Sequence, residues 1–94
     1  MAKGTHFSGF ESVTVAASST ALTTATIAGK ESALITLETA QVRFTLDGTA
    51  PTATIGHILN VDDVLELDSS EAMGIVRFFR TGGTSGTLRC SYGD

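Results

Sequence analysis

The feature that most constrains this chain is the brevity and spacing of its apolar runs. Residues 12–17 (SVTVAA) set Val13 and Val15 to one side, and residues 33–38 (ALITLE) do the same with Ile35 and Leu37. In residues 41–47 (QVRFTLD), Val42, Phe44 and Leu46 alternate with Gln41, Arg43 and Thr45, and in residues 87–92 (TLRCSY) Leu88, Cys90 and Tyr92 share a face. Successive side chains on a strand point to opposite faces, so a period of two marks strands with one buried side, whereas a helix would repeat every 3.6 residues. Turn signals separate the runs at intervals of about 8–12 residues: Ser18-Ser19, residues 28–32 with Gly29 at positive φ, Asp47-Gly48, the polar corner 60–63, and the glycine-rich 82–86.

The remaining segments fit the same scheme. Thr-rich residues 20–27 read as a strand, because β-branched side chains suit the pleat better than a helix. Residues 64–68 (VLELD) and 75–81 (IVRFFRT) are further strands, the latter with Val76 and Phe78 inward and Ile75 and Phe79 outward. Residues 69–74 have room for one helical turn capped by Ser69 or Ser70. The short connections predict two hairpins, one joining 33–38 to 41–47 and one across 82–86. The expected fold is a single all-β domain over residues 12–94, an antiparallel β-sandwich or jelly-roll-like arrangement of seven or eight short strands. Residues 1–11 form a flexible N-terminal arm carrying Phe7 and Phe10. The expected core is Val13, Val15, Leu22, Ile27, Ile35, Leu37, Val42, Phe44, Leu46, Leu59, Leu65, Leu67, Val76, Phe78, Leu88 and Cys90.

Totals narrow the function. A chain of 94 residues holds one core and gains from association with itself or a larger partner. A net charge of −4 with six scattered Lys and Arg argues against nucleic acid, which requires clustered cations against phosphate. The one cysteine, Cys90, allows no intrachain disulfide and reads as a buried core thiol. No apolar run approaches the roughly 18 residues of a membrane helix, and residues 1–10 lack the apolar stretch of a secretory signal, so the expectation is synthesis in the cytoplasm with no membrane partner.

Chemistry is thinly represented. His6 and His57 are the two imidazoles. Ser85, His57 and Asp47 make a catalytic triad on paper, but no serine sits in a nucleophile elbow. Asp62, Asp63, Glu66 and Asp68 offer hard oxygen ligands without the spacing or the glycine of a calcium loop, and read as a solvated acidic corner. Neither glycine-rich stretch is followed by Lys-Ser/Thr and a helix, as a phosphate loop requires. Tyr92 and Phe79 make at best a small sugar-stacking platform. The expectation is a protein with no enzymatic activity, cofactor or metal. Between the strands, the uncharged run from Thr49 to Thr54 with Pro51 suits a loop laid against another protein, so Thr49, Pro51, Thr52 and Thr54 are candidate contacts, together with Ile75 and Phe79 at a subunit interface and Phe7 and Phe10 on the arm.

The stretches RFTLDGTAPTATIGHILNVDDVLEL and VRFFRTGGTSGTLRCSYG resemble small β proteins encoded among the structural genes of tailed bacteriophages and prophages. The shared pattern is Asp-Gly-Thr-x-Pro-Thr after an Arg-bearing strand, a Gly-x-x-Leu re-entry, an acidic strand and a closing Gly-Gly-Thr-Ser-Gly turn before Ser-Tyr. It extends from Ala33 to Tyr92. The resemblance implies a virion component without catalytic activity, of the capsid decoration (cement) type. It further implies a homotrimer on the capsid surface that bridges neighbouring major capsid proteins, and it brings no family site residue with it. The alternatives are a carbohydrate- or receptor-binding module of a head or tail fibre, and a neck or tail adaptor.

Overall fold

The computed structural model describes residues 7–94. Its elements in chain order are β1 (Phe7–Val15), α1 (Thr24–Ile27), β2 (Ser32–Glu38), β3 (Val42–Thr45), β4 (His57–Leu59), β5 (Val64–Leu67), α2 (Ser70–Ile75), β6 (Arg77–Arg80) and β7 (Gly86–Gly93). The strands form two antiparallel sheets, one of four in the order β1-β7-β2-β5 and one of three in the order β4-β3-β6. The protein is an all-β sandwich.

Register explains why these runs face as they do. In the large sheet Val13 pairs with Leu88 and Leu88 with Leu37, while Cys90 pairs with Ile35 and Tyr92 with Ala33. In the small sheet Phe44 sits between His57 and Phe78, and Val42 between Leu59 and Arg80. The apolar members of these rows form one core with Leu22, Met73 and Val76. Three expected core residues lie further out. Ile27 and Leu65 are partly buried against the core. Leu46 is 44% exposed, because β3 ends at Thr45 and the chain turns away through Gly48 at φ +86°. Ala33, Met73, Tyr92 and Pro51 are buried in addition.

Four expectations are corrected. The boundary of the arm moves: Phe7–Val15 is one strand paired with β7 from Phe7↔Gly93 to Val15↔Gly86, and residues 1–6 lie outside the described residues. The free end of β1 is fastened by Lys30, whose Nζ lies 2.5 Å from Ser8 Oγ and 3.2 Å from Asp94. Residues 20–27 are not a strand. Leu22 and Ile27 are five apart, so a strand would point them to opposite faces; the chain instead bends into α1, and both reach the core. Glu11 accepts the Thr23 backbone N–H at 3.1 Å at the start of that turn.

Neither hairpin forms. β2 already has β7 on one edge and β5 on the other, so β3 passes into the opposite sheet, with Thr39 at φ +81° making the corner. Residues 82–86 likewise carry the chain from β6 in the small sheet to β7 in the large one. The two connections meet: a methyl placed on Gly86 would lie 2.7 Å from the Ala40 carbonyl oxygen. The expected helical turn is present as α2, and Ser69 is its cap, accepting the Ala72 N–H at 3.1 Å.

Candidate functional site

Two surfaces hold the residues that the sequence singled out. The first is the outer face of the large sheet. β1 carries a register shift between Phe7 and Gly9, which leaves Ser8 as an extra residue against β7. Without it, Phe7 and Phe10 would point to opposite faces; the bulge turns Phe7 to the side of Phe10. Both phenylalanines are exposed, at 52% and 61%. Phe10 heads a cross-strand row that continues through Ser91, Leu34 and Glu66. Phe7 heads the next row, through Gly93 and Ser32. Further along the face the rows become polar. Arg89 donates to Glu38 Oε1 at 3.1 and 3.2 Å and to Ser12 Oγ at 2.6 Å, with Val64 exposed at the end of that row. One half of the face is thus aromatic and aliphatic, and the other half is a hydrogen-bonded charge network.

The second surface is the loop between β3 and β4. Arg43 donates from Nε to the Ala53 carbonyl at 3.0 Å and from a terminal nitrogen to the Gly56 carbonyl at 2.9 Å, holding the loop to the small sheet. Asp47 accepts the Thr49 N–H at 3.0 Å, Thr45 Oγ1 donates to the Thr49 carbonyl, and Thr52 Oγ1 accepts the N–H groups of Thr54 and Ile55 at 3.2 and 3.0 Å. Thr52 is therefore a scaffold of its own loop. Pro51 is fully buried within the chain, which corrects its placing as a contact; Thr49, Thr52 and Thr54 stay exposed. Beside the loop is an open cleft of about 510 Å³ lined by Leu46, Asp47, Ile55 and His57 among others. The backbone N–H of Thr49 holds the Asp47 carboxyl below the usual carboxylate range, and the nearby His57 adds to this in smaller measure.

The paper triad is not gathered. Ser85 Oγ accepts from Arg80 at 3.3 Å, and Arg80 pairs with Val42 at the start of β3, whereas Asp47 lies past the strand's other end at Thr45, about 10 Å along the strand from Val42. Among the described residues, no three His, Cys, Asp or Glu side chains come close enough to hold a metal ion. In the acidic corner Asp63 accepts the Asn60 N–H at 2.8 Å and Asp62 takes φ +73°, so both serve the turn. Cys90 is buried, and burial pushes its thiol up to about 11. Tyr92 is fully buried and donates to Glu11 Oε2 at 2.5 Å; burial and that hydrogen bond raise its phenol well above the usual range. With Tyr92 inside and Phe79 half-buried, the sugar platform is not present.

Ile75 and Phe79 do not share the outer face of one strand. Ile75 closes α2, and Phe79 lies on β6 in a row with Arg43 and Ile58; both are half-buried. The reading from sequence missed Leu34 and Val64. Their signal was present, since each is an apolar residue on the polar side of its strand. Comparison with family models, curated proteins and solved structures finds no match to this chain.

Proposed function

We propose that this protein is a non-enzymatic virion component, a capsid decoration protein that assembles as a homotrimer on a phage head and bridges neighbouring major capsid proteins. The observation that carries this reading is the aromatic half of the large sheet's outer face, where a bulge turns Phe7 to lie on the same side as Phe10 and Leu34. The exposed half of each phenylalanine brings the isolated domain no stability, while its burial against a partner contributes about 1–2 kcal/mol. Contacts of that size are individually weak, and their sum over a trimer and over many copies holds a shell together.

Because Phe7–Glu11 belongs to β1, deleting residues 1–11 would remove half of a strand, and point variants are the sound test. Wild-type protein is expected to scatter light as three times its 9.7 kDa chain mass and to sediment with heads stripped of it. Phe7→Ser/Phe10→Ser is expected to keep its circular dichroism and lose head binding. A wild-type monomer that does not bind heads overturns the reading, and a ring of six or twelve copies would favour the neck or tail adaptor instead.

A further inference from the structure

We propose that the hollow between β5 and Phe7 receives an arginine side chain of the protein against which this face docks. The hollow has a volume of about 240 Å³ and is lined by Phe7, Ser32, Leu34, Glu66, Leu67 and Asp68 among others. At its base Ser32 is 8% exposed, and its hydroxyl is the one buried side-chain polar atom among the described residues without a hydrogen-bond partner. Its register neighbour on β7 is Gly93, which has no side chain to offer. Such an orphaned hydroxyl is costly to bury and rare in folded proteins, so its place in the wall of a hollow points to a donor from outside.

The rim fixes the charge of that donor. Glu66 is an exposed residue of the edge strand β5, and Asp68 follows it two positions on, so both carboxylates lean over the same side. Among the described residues neither has an ion pair or hydrogen bond. The wall opposite is the ring of Phe7. Two carboxylates, a hydroxyl acceptor and an aromatic face suit a guanidinium. Its flat fork donates to several oxygens at once, it stacks on aromatic rings, and it loses less hydration than an ammonium when it is enclosed. The net charge of −4 also favours a basic partner surface.

The proposal rests on the reading that this face docks against a protein, and it is tested without that protein. Full-length ¹⁵N-labelled chain is titrated with N-acetyl-arginine methylamide and, in parallel, with the uncharged citrulline analogue. Amide shifts are expected to concentrate at Ser32, Leu34, Glu66 and Asp68 for the arginine compound, and to be absent for citrulline. Glu66→Gln/Asp68→Asn, whose own spectrum reports that the fold is intact, is expected to weaken binding by about five-fold or more. Equal shifts with citrulline, shifts scattered over the surface, or unchanged affinity in the double variant would overturn the assignment. If the phenylalanine variants lose head binding while Glu66→Gln/Asp68→Asn keeps it, docking stands and the arginine site fails.

Discussion

Gly86 is the position where one methyl group should do the most damage. It is buried at the start of β7, opposite Val15. A Cβ there would lie 2.7 Å from the Ala40 carbonyl oxygen, 2.7 Å from Val42 Cγ1 and 3.1 Å from Leu37 Cδ1. The described glycines with positive φ are Gly29, Gly48 and Gly56, so at Gly86 the cost is one of space. Overpacking a core costs about 1–3 kcal/mol. The upper end applies here, because the Ala40 oxygen is backbone and Val42 is stiff at χ1. A domain of this length has a total stability of roughly 5–14 kcal/mol, so Gly86→Ala is expected to remove about 3 kcal/mol and to lower the melting temperature by roughly 12–24 °C. Urea and thermal unfolding followed by far-ultraviolet circular dichroism measure both. Gly74 is the control: it lies inside α2, a Cβ there meets nothing within 4 Å, and Gly74→Ala should raise stability by about 0.5–1 kcal/mol. A Gly86→Ala protein within about 0.5 kcal/mol of wild type would refute the contact between the two inter-sheet connections.

Two more predictions concern the buried polar groups of β7. Tyr92→Phe removes the hydroxyl that donates to Glu11 Oε2 and should cost about 1–2 kcal/mol by urea titration; no loss would mean that Glu11 is equally well served by water. The Cys90 thiol is raised from 9.0 to about 11 by burial, and the Tyr92 phenol is raised as well, by burial and by its bond to Glu11. As pH climbs through 9.0 for the cysteine and 10.0 for the tyrosine, the unfolded chain loses these protons before the folded one does. The folded state then binds more protons, and stability falls with pH. The urea midpoint should therefore drop between about pH 9 and 11, and the native thiol should resist alkylation at neutral pH while the unfolded one reacts. A flat midpoint across that range would contradict the burial of both groups.

Local alternation located the strands well, because burial on one face writes itself into a period of two. Ile35, Leu37, Leu88 and Cys90 were legible for that reason. Partner choice was not. Glu38 and Gln41 are close enough in sequence for a hairpin, and nothing in residues 39–40 announces that both edges of β2 are occupied by strands made later. The turn at residues 23–27 was hidden for a related reason: threonine favours a strand, but the five-residue spacing of Leu22 and Ile27 reaches one core only if the chain bends. At the candidate surface, Phe7 and Phe10 were visible as isolated anchors, yet the bulge at Ser8 that sets them on one face is a matter of pairing, and pairing is not written locally. Ser32 carried no signal at all, since its missing partner depends on Gly93 lying beside it across the sheet.

The place of β7 has a consequence for how the molecule comes into being. Among the described residues, β1 has no partner strand other than β7, and β2 has only β5 besides it. During synthesis β1 therefore stays without this partner until β7 has left the ribosome. Folding belongs to the slower class set by non-local strand pairing, milliseconds to seconds. FSGFESVTV is a segment of low charge and strand-forming sequence, of the kind that pairs readily with copies of itself while its edge is bare. Glu11, which accepts the Tyr92 hydroxyl in the folded protein, is the one charge within it.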